Sequence, residues 1–401
     1  MKRILIFSLA YAPFVGGAEL AIKEITDRLS PDEYSFDMIT LRFDRNLPRV
    51  EKVGNVTVYR IGFSVRAAKI SDRSMPFSCK VAKILFPVTS FFKALSLNYK
   101  HCYDIVWAMM ANQAAFGALF FKWTQPRVPY FLELQDGNSL EQIRERRPLL
   151  RFIWPLYRLV YLKADGIKAI SRFIEKLTRE IGYAGQVAVI PNAVDTRKFC
   201  APVSDEKLTA LKARLDKRMG DVFLFTASRL VLSRGVEDVI RALPHLPLAV
   251  KLVIAGDGDD RGTLEQIAKD EKVEGRVLFV GHIDHAELPA YYKVSDVFVR
   301  PSLIEGFGSA FVEAFAAGIP VVATPVGGIP DFLTDGVTGL FCKVQDPESV
   351  ARAVTRYLED PSLVARVVLN AKRLAEEKYD WEYIAADMKK KIFEPLTKRG
   401  G

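Results

Sequence analysis

Cysteine and histidine are scarce in this chain of 401 residues, which has four of each. The cysteines lie far apart and form no C-x-x-C pair, so the sequence indicates neither a disulfide framework nor a zinc cluster and fits a reducing cytosol. Every run of eighteen residues contains charged or polar residues, and the first apolar run, RILIFSLA, is too short for a signal peptide. These absences predict a cytoplasmic protein without a transmembrane helix or an N-terminal export signal.

The composition, 49% hydrophobic and 26% charged residues, suits two or three globular domains. The net charge of +9 is uneven: residues 1–195 hold 28 Lys and Arg against 18 Asp and Glu, whereas residues 196–401 hold 29 against 30. The first half therefore favours a negatively charged partner, which is nucleic acid, an anionic membrane surface or a phosphorylated substrate.

Short β-branched runs alternate with helical patterns, which is typical of parallel sheets with crossover helices. The predicted strands are RILIFSL, SFDMITL, VTVYRIG, DIVWAM, PYFLELQ, GIKAIS and VAVIP, followed by VFLFTAS, VKLVIAG, RVLFVG, DVFVRPS and PVVATPV. Strand signals stop in PNAVDTRKFCAPVSDEKL, where we place a domain boundary. The expected fold class is α/β with two facing Rossmann-like domains, and such sheets bind ligands at the carboxyl ends of their strands.

Four stretches resemble the family-4 glycosyltransferases, which have two Rossmann-like domains in the GT-B arrangement. They are YAPFVGGAEL, PNAVD, SRLVLSRGVEDVIRAL and RPSLIEGFGSAFVEAFAAGIPVVATPVGGIPDFLTDGVTGLF. With the boundary above, the resemblance implies an acceptor-side domain of residues 1–195, onto which a C-terminal helix within residues 380–401 packs back. Residues 196–379 would then bind a nucleotide-sugar, and retention of configuration is implied by the family alone.

Glu305 and Glu313 stand in an otherwise apolar segment, so each needs solvent or a polar partner. Glu305 follows a strand in a glycine loop, and the helix that comes next offers free N–H groups to an anion. By resemblance, Glu305 contacts the donor hexose near the reacting carbon, Glu313 contacts the ribose, and Gly306, Phe307 and Gly308 bind the donor. The alternative is that these acids are stabilised by the helix dipole alone.

Two further pairs of residues are expected at the donor phosphates. Arg229 ends the strand VFLFTAS and Arg234 follows it, and guanidinium groups bind phosphate as a fork. The family usually has Lys where this chain has Arg234. Gly16 and Gly17 separate the first strand from a helix and allow close backbone approach. The alternatives are that the two arginines are ordinary exposed residues and that the two glycines form a simple turn.

The family often has a histidine at the end of the strand PYFLELQ, where this chain has Gln135 and Asp136. Asp136 is the candidate for the polar group that faces the acceptor hydroxyl, and Gln135 is the second choice. An Asp before Gly and Asn is equally typical of a turn.

No required metal or other cofactor is predicted. The segment AGDGDD has a D-x-D spacing that binds metal in another glycosyltransferase fold, but here it follows a strand, where acids cap helices. His282 and His285 form H-x-x-H without a further ligand nearby in sequence.

Two stretches interleave basic and bulky apolar residues: FSCKVAKILFPVTSFFKALSLNYK and RERRPLLRFIWPLYRLVYLK. The first belongs to residues 52–100, where Asp72 is the only acid among nine basic residues. This pattern suits an anionic bilayer, and it equally suits core helices with snorkelling cations. Nucleic acid is not expected as a partner, because no binding module accompanies the charge.

The sequence thus predicts a glycosyltransferase, peripheral at the inner membrane face, that moves a hexose from a nucleotide diphosphate sugar to a hydroxyl of a glycan or lipid-linked acceptor. Cell-surface polysaccharide or lipid-linked glycan synthesis is the expected setting. One alternative is a non-catalytic subunit that binds the nucleotide-sugar. Another is an epimerase or a phosphorylase on the same fold.

Overall fold

A computed structural model describes residues 1–14, 16–64, 75–146 and 150–399. The chain divides into two compact units, Met1–Asn192 with Trp381–Gly401, and Ala193–Asp380. The domain limits given above stay a prediction. Within the described ranges, every helix is too short or too polar to cross a bilayer.

The first unit alternates strands with helices along most of its length. Its elements are β1 (Lys2–Phe7), α1 (Gly17–Asp27), β2 (Tyr34–Leu41), β3 (Val50–Val53), β4 (Val56–Ile61), α2 (Phe77–His101), β5 (Ile105–Met109), α3 (Gln113–Thr124), β6 (Tyr130–Leu134), α4 (Leu140–Arg146), α5 (Leu150–Leu162), β7 (Gly166–Ala169), α6 (Arg172–Ile181) and β8 (Val187–Val189).

The strands of the first unit form one sheet in the order β3-β4-β2-β1-β5-β6-β7-β8. All neighbours pair in parallel except β3, which pairs with β4 in the antiparallel sense. The inner strands are buried on both faces, which explains their continuous apolar sequences. Edge strand β3 reads VEKV and is half exposed, so it has no apolar run by which to predict it.

The C-terminal segment of the chain packs on the first unit. It consists of α15 (Trp381–Met388), a π-helical stretch (Lys389–Phe393) and α16 (Glu394–Arg399). The buried ring of Phe393 lies 5.6 Å from Tyr34, 6.0 Å from Trp107 and 5.8 Å from Phe131, measured between ring centroids. The predicted return of the C-terminal helix to the N-terminal half is confirmed.

The second unit repeats the same architecture. Its elements are α7 (Thr196–Cys200), α8 (Asp205–Arg214), β9 (Val222–Ala227), α9 (Val236–Ala242), β10 (Val250–Ala255), α10 (Arg261–Asp270), β11 (Val277–Gly281), α11 (Leu288–Val294), β12 (Val297–Arg300), α12 (Ser309–Ala317), β13 (Val321–Ala323), β14 (Leu340–Phe341), α13 (Pro347–Glu359) and α14 (Pro361–Lys378).

The second sheet is parallel throughout, in the order β11-β10-β9-β12-β13-β14. Because β9 and β12 are neighbours, the loops after their carboxyl ends lie at the same edge of the sheet. Every strand predicted from the sequence is present, and the two-residue strand β14 was missed. The α/β class with two Rossmann-like domains is confirmed.

The basic and apolar stretches form helices of the first unit. FSCKVAKILFPVTSFFKALSLNYK lies in α2, and the other stretch contributes to α4 and α5. Several charged residues of the predicted basic regions lie outside the described residues: Arg66, Lys69, Asp72, Arg73 and Arg147.

Candidate functional site

A cluster of charge lies at the carboxyl edge of the second sheet. Glu305, in the loop between β12 and α12, is only 6% exposed. Its Oε2 accepts a hydrogen bond of 2.8 Å from Nη1 of Arg234 and another of 2.8 Å from Nη2 of Arg300. Two arginines against one glutamate leave the cluster with a net positive charge. A buried site of this charge favours an anion.

Arg300 was part of the quoted motif but received no predicted role. It ends β12, and its Nη1 also donates to the carbonyl oxygen of Ala227 at 3.2 Å. The guanidinium lies 4.2 Å from the ring centroid of Phe311, and burial lowers the pKa of Arg300 below its ordinary value while Glu305 opposes that shift. The available signal was an arginine at the end of an otherwise apolar strand.

The structure separates the two predicted arginines. Arg234 closes a short 3-10 turn, Leu232–Arg234, and reaches Glu305. Arg229 lies two residues after β9 with an exposed side chain, and within the described part of the chain it forms no hydrogen bond or ion pair with Glu305. Only Arg234 therefore joins the buried cluster.

Asp260, the last acid of AGDGDD, supports the Arg234 turn. The Oδ2 of Asp260 accepts a 3.0 Å hydrogen bond from the backbone N–H of Leu232, the first residue of that turn. Asp260 occupies the N-cap position of α10 but forms no capping hydrogen bond to it. Asp260 therefore stabilises the turn that carries Arg234.

Two glycines allow the loop around Glu305 to close tightly. Gly308 caps α12 with a φ of 93°, and a Cβ there would lie 2.9 Å from Nη2 of Arg300. Gly327 has a φ of 54°, and a Cβ there would lie 1.8 Å from the carbonyl oxygen of Glu305. Only glycine fits both the backbone conformation and the space.

The N-terminus of α12 is open to a ligand. Gly308 provides no side-chain cap, and the first turn of the helix holds no acid, so its N–H groups and positive dipole end are available. Gly306 and Phe307 are buried beside it. The ring of Phe307 packs against Phe332 at 5.3 Å, so only the backbone of Phe307 is suited to contact a donor.

Glu313 lies further along α12 and is 7% exposed. The hydroxyl of Tyr292 donates to its Oε2 at 2.9 Å, and Nε2 of His285 lies 3.5 Å from its Oε1. Nδ1 of His285 lies 2.7 Å from Nζ of Lys198. Burial, and then the charge of Glu313, raise the pKa of Tyr292 well above its ordinary value. Sequence reasoning missed both partners of Glu313, because they lie on other elements of the second unit.

In the first unit, Gly16 is the N-cap of α1 and Gly17 is its first residue. The Oε2 of Glu19 accepts a 2.9 Å hydrogen bond from the N–H of Gly16. The chain therefore supplies its own carboxylate at the helix N-terminus where a donor phosphate was expected.

Asp136 follows β6 in a turn. Its Oδ1 accepts a 3.2 Å hydrogen bond from the backbone N–H of Asn138 and a second bond from that residue's side-chain amide. Asp136 also lines a pocket of the first unit, together with Asn112, Tyr157 and Tyr161. The turn and the pocket are compatible, since one carboxylate can serve both.

Gln135 is tied into a buried polar network. Its Nε2 donates to Oε1 of Glu133 at 2.6 Å, and its Oε1 accepts from Asn192 at 2.8 Å. Glu133 also accepts a 2.5 Å hydrogen bond from Lys168, and both of these charged side chains are fully buried. Because its amide is engaged within the protein, Gln135 is the weaker candidate for a substrate contact.

Two family models match the chain. One, described as "Glycosyl transferase 4-like domain", matches residues 16–193, and the other, described as "Glycosyl transferases group 1", matches residues 209–374. Each match falls within one of the two halves of the chain.

Individual proteins resemble the chain over different lengths. An uncharacterised glycosyltransferase of Methanocaldococcus jannaschii is 28% identical over 393 residues, which are 96% of each protein. A GDP-mannose-dependent alpha-(1-6)-phosphatidylinositol monomannoside mannosyltransferase of Mycolicibacterium smegmatis is 33% identical over 232 residues, 54% of this chain and 59% of that protein. The crystal structure of Anabaena HepE in complex with UDP-glucose aligns with a TM-score of 0.78 at 21% identity, over 98% of this chain and all of that one.

These matches agree with the parallel sheets and with the positions of the quoted motifs. The chain belongs to the group 1 glycosyltransferases, with a glycosyl transferase 4-like domain in its first half, and it is an enzyme that transfers sugar from a nucleotide-sugar.

Proposed function

We propose that the enzyme moves a hexose, with retention of configuration, from a nucleotide diphosphate sugar to an acceptor hydroxyl. The observation that carries this proposal is the pairing of Glu305 with Arg234 and Arg300 beside the uncapped N-terminus of α12. The two arginines and the free N–H groups of α12 lie together at the carboxyl edge of the second sheet, where a diphosphate would bind.

The charge cluster suits the departure of a phosphate. When the bond between the sugar and the diphosphate breaks, negative charge grows on the leaving oxygen. Arginines and the N–H groups of α12 that are already in place stabilise this charge without reorganising. Arg229, which is exposed, completes the set by contacting the outer phosphate oxygens.

Glu305 has a double role in this proposal. Its Oε2 holds the two arginines, whereas its Oε1 has no hydrogen-bond partner among the described residues. That oxygen accepts a hydrogen bond from a hydroxyl of the donor hexose. Glu313 accepts from the ribose hydroxyls, while Tyr292 and His285 hold its carboxylate in place.

In the first unit, the backbone of Gly16 and Gly17 binds the donor in exchange for the carboxylate of Glu19, and Asp136 contacts the acceptor hydroxyl. The leaving phosphate takes the acceptor proton, so Asp136 orients the acceptor and does not need to be a strong base. The arginines neutralise the diphosphate, and no metal is required.

The acceptor is a glycan or a lipid-linked glycan used in cell-surface polysaccharide synthesis, and the enzyme works at the cytoplasmic face of the membrane. Two named similarities support a lipid-linked acceptor and a nucleotide-sugar donor, respectively. The mycobacterial relative acts on a phosphatidylinositol mannoside, and Anabaena HepE binds UDP-glucose. The donor nucleotide is therefore sought among uridine and guanosine diphosphates.

A thermal-shift screen tests the donor directly. A ligand that binds the folded state raises the melting temperature by mass action. We expect one nucleoside diphosphate and its sugar to raise it and the others to leave it unchanged. No shift with any nucleotide would contradict the proposal.

Transfer itself is tested with the radiolabelled donor found in that screen and a membrane extract. Label that moves to an extractable glycan or lipid supports the enzyme. Binding without transfer, even when partner proteins are restored, would instead favour a non-catalytic subunit.

A further inference from the structure

Helix α2 has two apolar faces, and only one of them is packed. The packed face consists of Cys79, Ala82, Phe86, Ser90, Ala94 and Leu97, all buried. The opposite face carries the set that we call the α2 stripe: Phe77, Ile84, Leu85, Val88, Phe92 and Tyr99. Spacings of four and seven residues place these side chains on one side of the helix. Phe77 is 81% exposed and Tyr99 is 91% exposed.

The packing of α2 holds the stripe outward. Gly117 of α3 lies so close to α2 that a Cβ at that position would stand 2.2 Å from Oγ of Ser90 and 3.3 Å from the carbonyl oxygen of Pro87. This close approach fixes the rotation of α2 about its own axis. The helix therefore cannot turn to bury the stripe without separating from α3.

Positive charge flanks the stripe. The sequence of α2 contains no acid and four lysines, which are Lys80, Lys83, Lys93 and Lys100. Lys80 and Lys100 are exposed, whereas Lys83 and Lys93 are half-buried and Nζ of Lys93 lies 4.7 Å from the ring centroid of Tyr59. Apolar and aromatic side chains with lysines beside them, and no acid among them, match the interface of a negatively charged bilayer.

Aromatic contacts extend this surface onto α3. The ring of Phe92 lies 5.2 Å from Phe91, Phe91 lies 6.4 Å from Phe120, and Phe120 lies 5.6 Å from Trp123, measured between ring centroids. Trp123 is 49% exposed. Tryptophan and tyrosine are the residues enriched at the depth of lipid headgroups.

We propose that the α2 stripe, with Trp123 at its side, docks on an anionic bilayer. From Phe77 to Tyr99 the stripe extends about 33 Å along the helix, enough to lie on the membrane surface over several lipids. The apolar side chains enter the boundary between headgroups and acyl chains, and Lys80 and Lys100 contact lipid phosphates. A protein partner would cover an apolar face equally well, but lysines without acids favour a surface of uniform negative charge.

This surface does not depend on sugar transfer, and it can be tested without a donor. The full chain is sedimented with phosphatidylcholine vesicles and with vesicles that also contain about 30% phosphatidylglycerol, an anionic lipid. The variant is Ile84→Asp with Phe92→Asp. Its matched control is Leu248→Asp with Leu369→Asp, which charges two leucines of the second unit that are 84% and 70% exposed.

We expect the wild-type chain and the control to bind the anionic vesicles and not the neutral ones, and binding to weaken as salt is added. The Ile84 and Phe92 variant should bind at least about tenfold more weakly, because two apolar groups that would enter the membrane become charged. Its melting temperature and its shift with nucleotide should equal those of the wild type, which separates a failure of docking from a failure of the site.

Equal binding by the wild type and the variant would overturn the proposal, as would a wild-type chain that binds neither vesicle. Light scattering gives a third outcome. If the wild type is a dimer that the variant converts to a monomer, and vesicles bind neither, the stripe is an interface between copies and not a membrane surface.

Discussion

Helices α12 and α2 have similar apolar sequences but different surroundings. The nine residues of α12, SAFVEAFAA, are mostly buried, and the helix begins and ends at glycines with positive φ. The 25 residues of α2 are buried on one side only and expose large apolar groups on the other. A helix that is apolar on every face is therefore expected to be covered on every side. The sequence does not say whether the protein itself covers the outer face, as in α12, or a partner such as lipid, as we propose for α2.

The largest expected effect lies in the loop before α12, in the change Glu305→Gln. Turnover should fall by about 10² to 10³, because the donor and both arginines lose the charge that orients them. The unfolding free energy of the second unit should fall by about 1–3 kcal/mol, since Arg300 stays buried without its counter-charge.

Single-turnover kinetics and urea unfolding measure these two quantities. The control is Glu265→Gln, which neutralises an exposed partner of Arg261 and should change neither. Unchanged transfer by a well-folded Glu305 variant would contradict the assigned role.

Gly327, which follows β13 and packs against the loop before α12, is changed in Gly327→Ala. The new methyl group would meet the carbonyl of Glu305, so we expect a loss of at least about 2 kcal/mol in unfolding free energy and weaker nucleotide binding. Gly336→Ala is the matched control, because its φ is 70° but the space around it is open. That control should lose about 1 kcal/mol from backbone strain alone. Equal losses of unfolding free energy in the two variants would show that the contact with the Glu305 carbonyl does not affect stability.

The same substitution, valine to serine, made in α12 and in α2 tests directly whether the two helices differ in how they are covered. Val312→Ser in α12 removes a fully buried apolar group and should cost about 2–3 kcal/mol. Val88→Ser in α2 changes a side chain that is 48% exposed and should alter stability by less than about 0.5 kcal/mol. Urea unfolding measures both. Similar losses would mean that the α2 stripe is already covered within the folded protein.

The smallest expected effect is at His285, which contacts Glu313 from outside the apolar core. His285→Ala should raise the KM for the donor about two- to tenfold and leave kcat unchanged, because Glu313 keeps its bond to Tyr292 but loses its second contact. His285→Gln, which can still donate a hydrogen bond, should recover part of the affinity. A fall in kcat at constant KM would place His285 at the reacting atoms instead.

Sequence periodicity predicted the parallel strands, because each is a short run of apolar residues buried on both faces. It missed β3, whose sequence VEKV is half exposed, and β14, which has only two residues. The isolated acids Glu305 and Glu313 were recognised from their apolar context. Their partners Arg300, Tyr292 and His285 were not, since hydrogen bonds between separate elements leave no pattern along the chain.

The sequence placed Asp136 ahead of Gln135 as the residue that faces the acceptor hydroxyl. Both residues line the same pocket, but Gln135 is bonded to Glu133, which in turn forms a buried pair with Lys168. Both charged residues of that pair lie inside predicted strands, where a buried ion pair cannot be told from an exposed one by spacing.

The most direct test is a crystal structure of the chain with the nucleoside diphosphate that raises its melting temperature most. We expect phosphate oxygens within about 2.7–3.2 Å of Arg234 or Arg300 and of the first N–H groups of α12, with Glu305 still joined to both arginines. A diphosphate bound elsewhere, with this cluster unchanged and empty, would contradict the assignment.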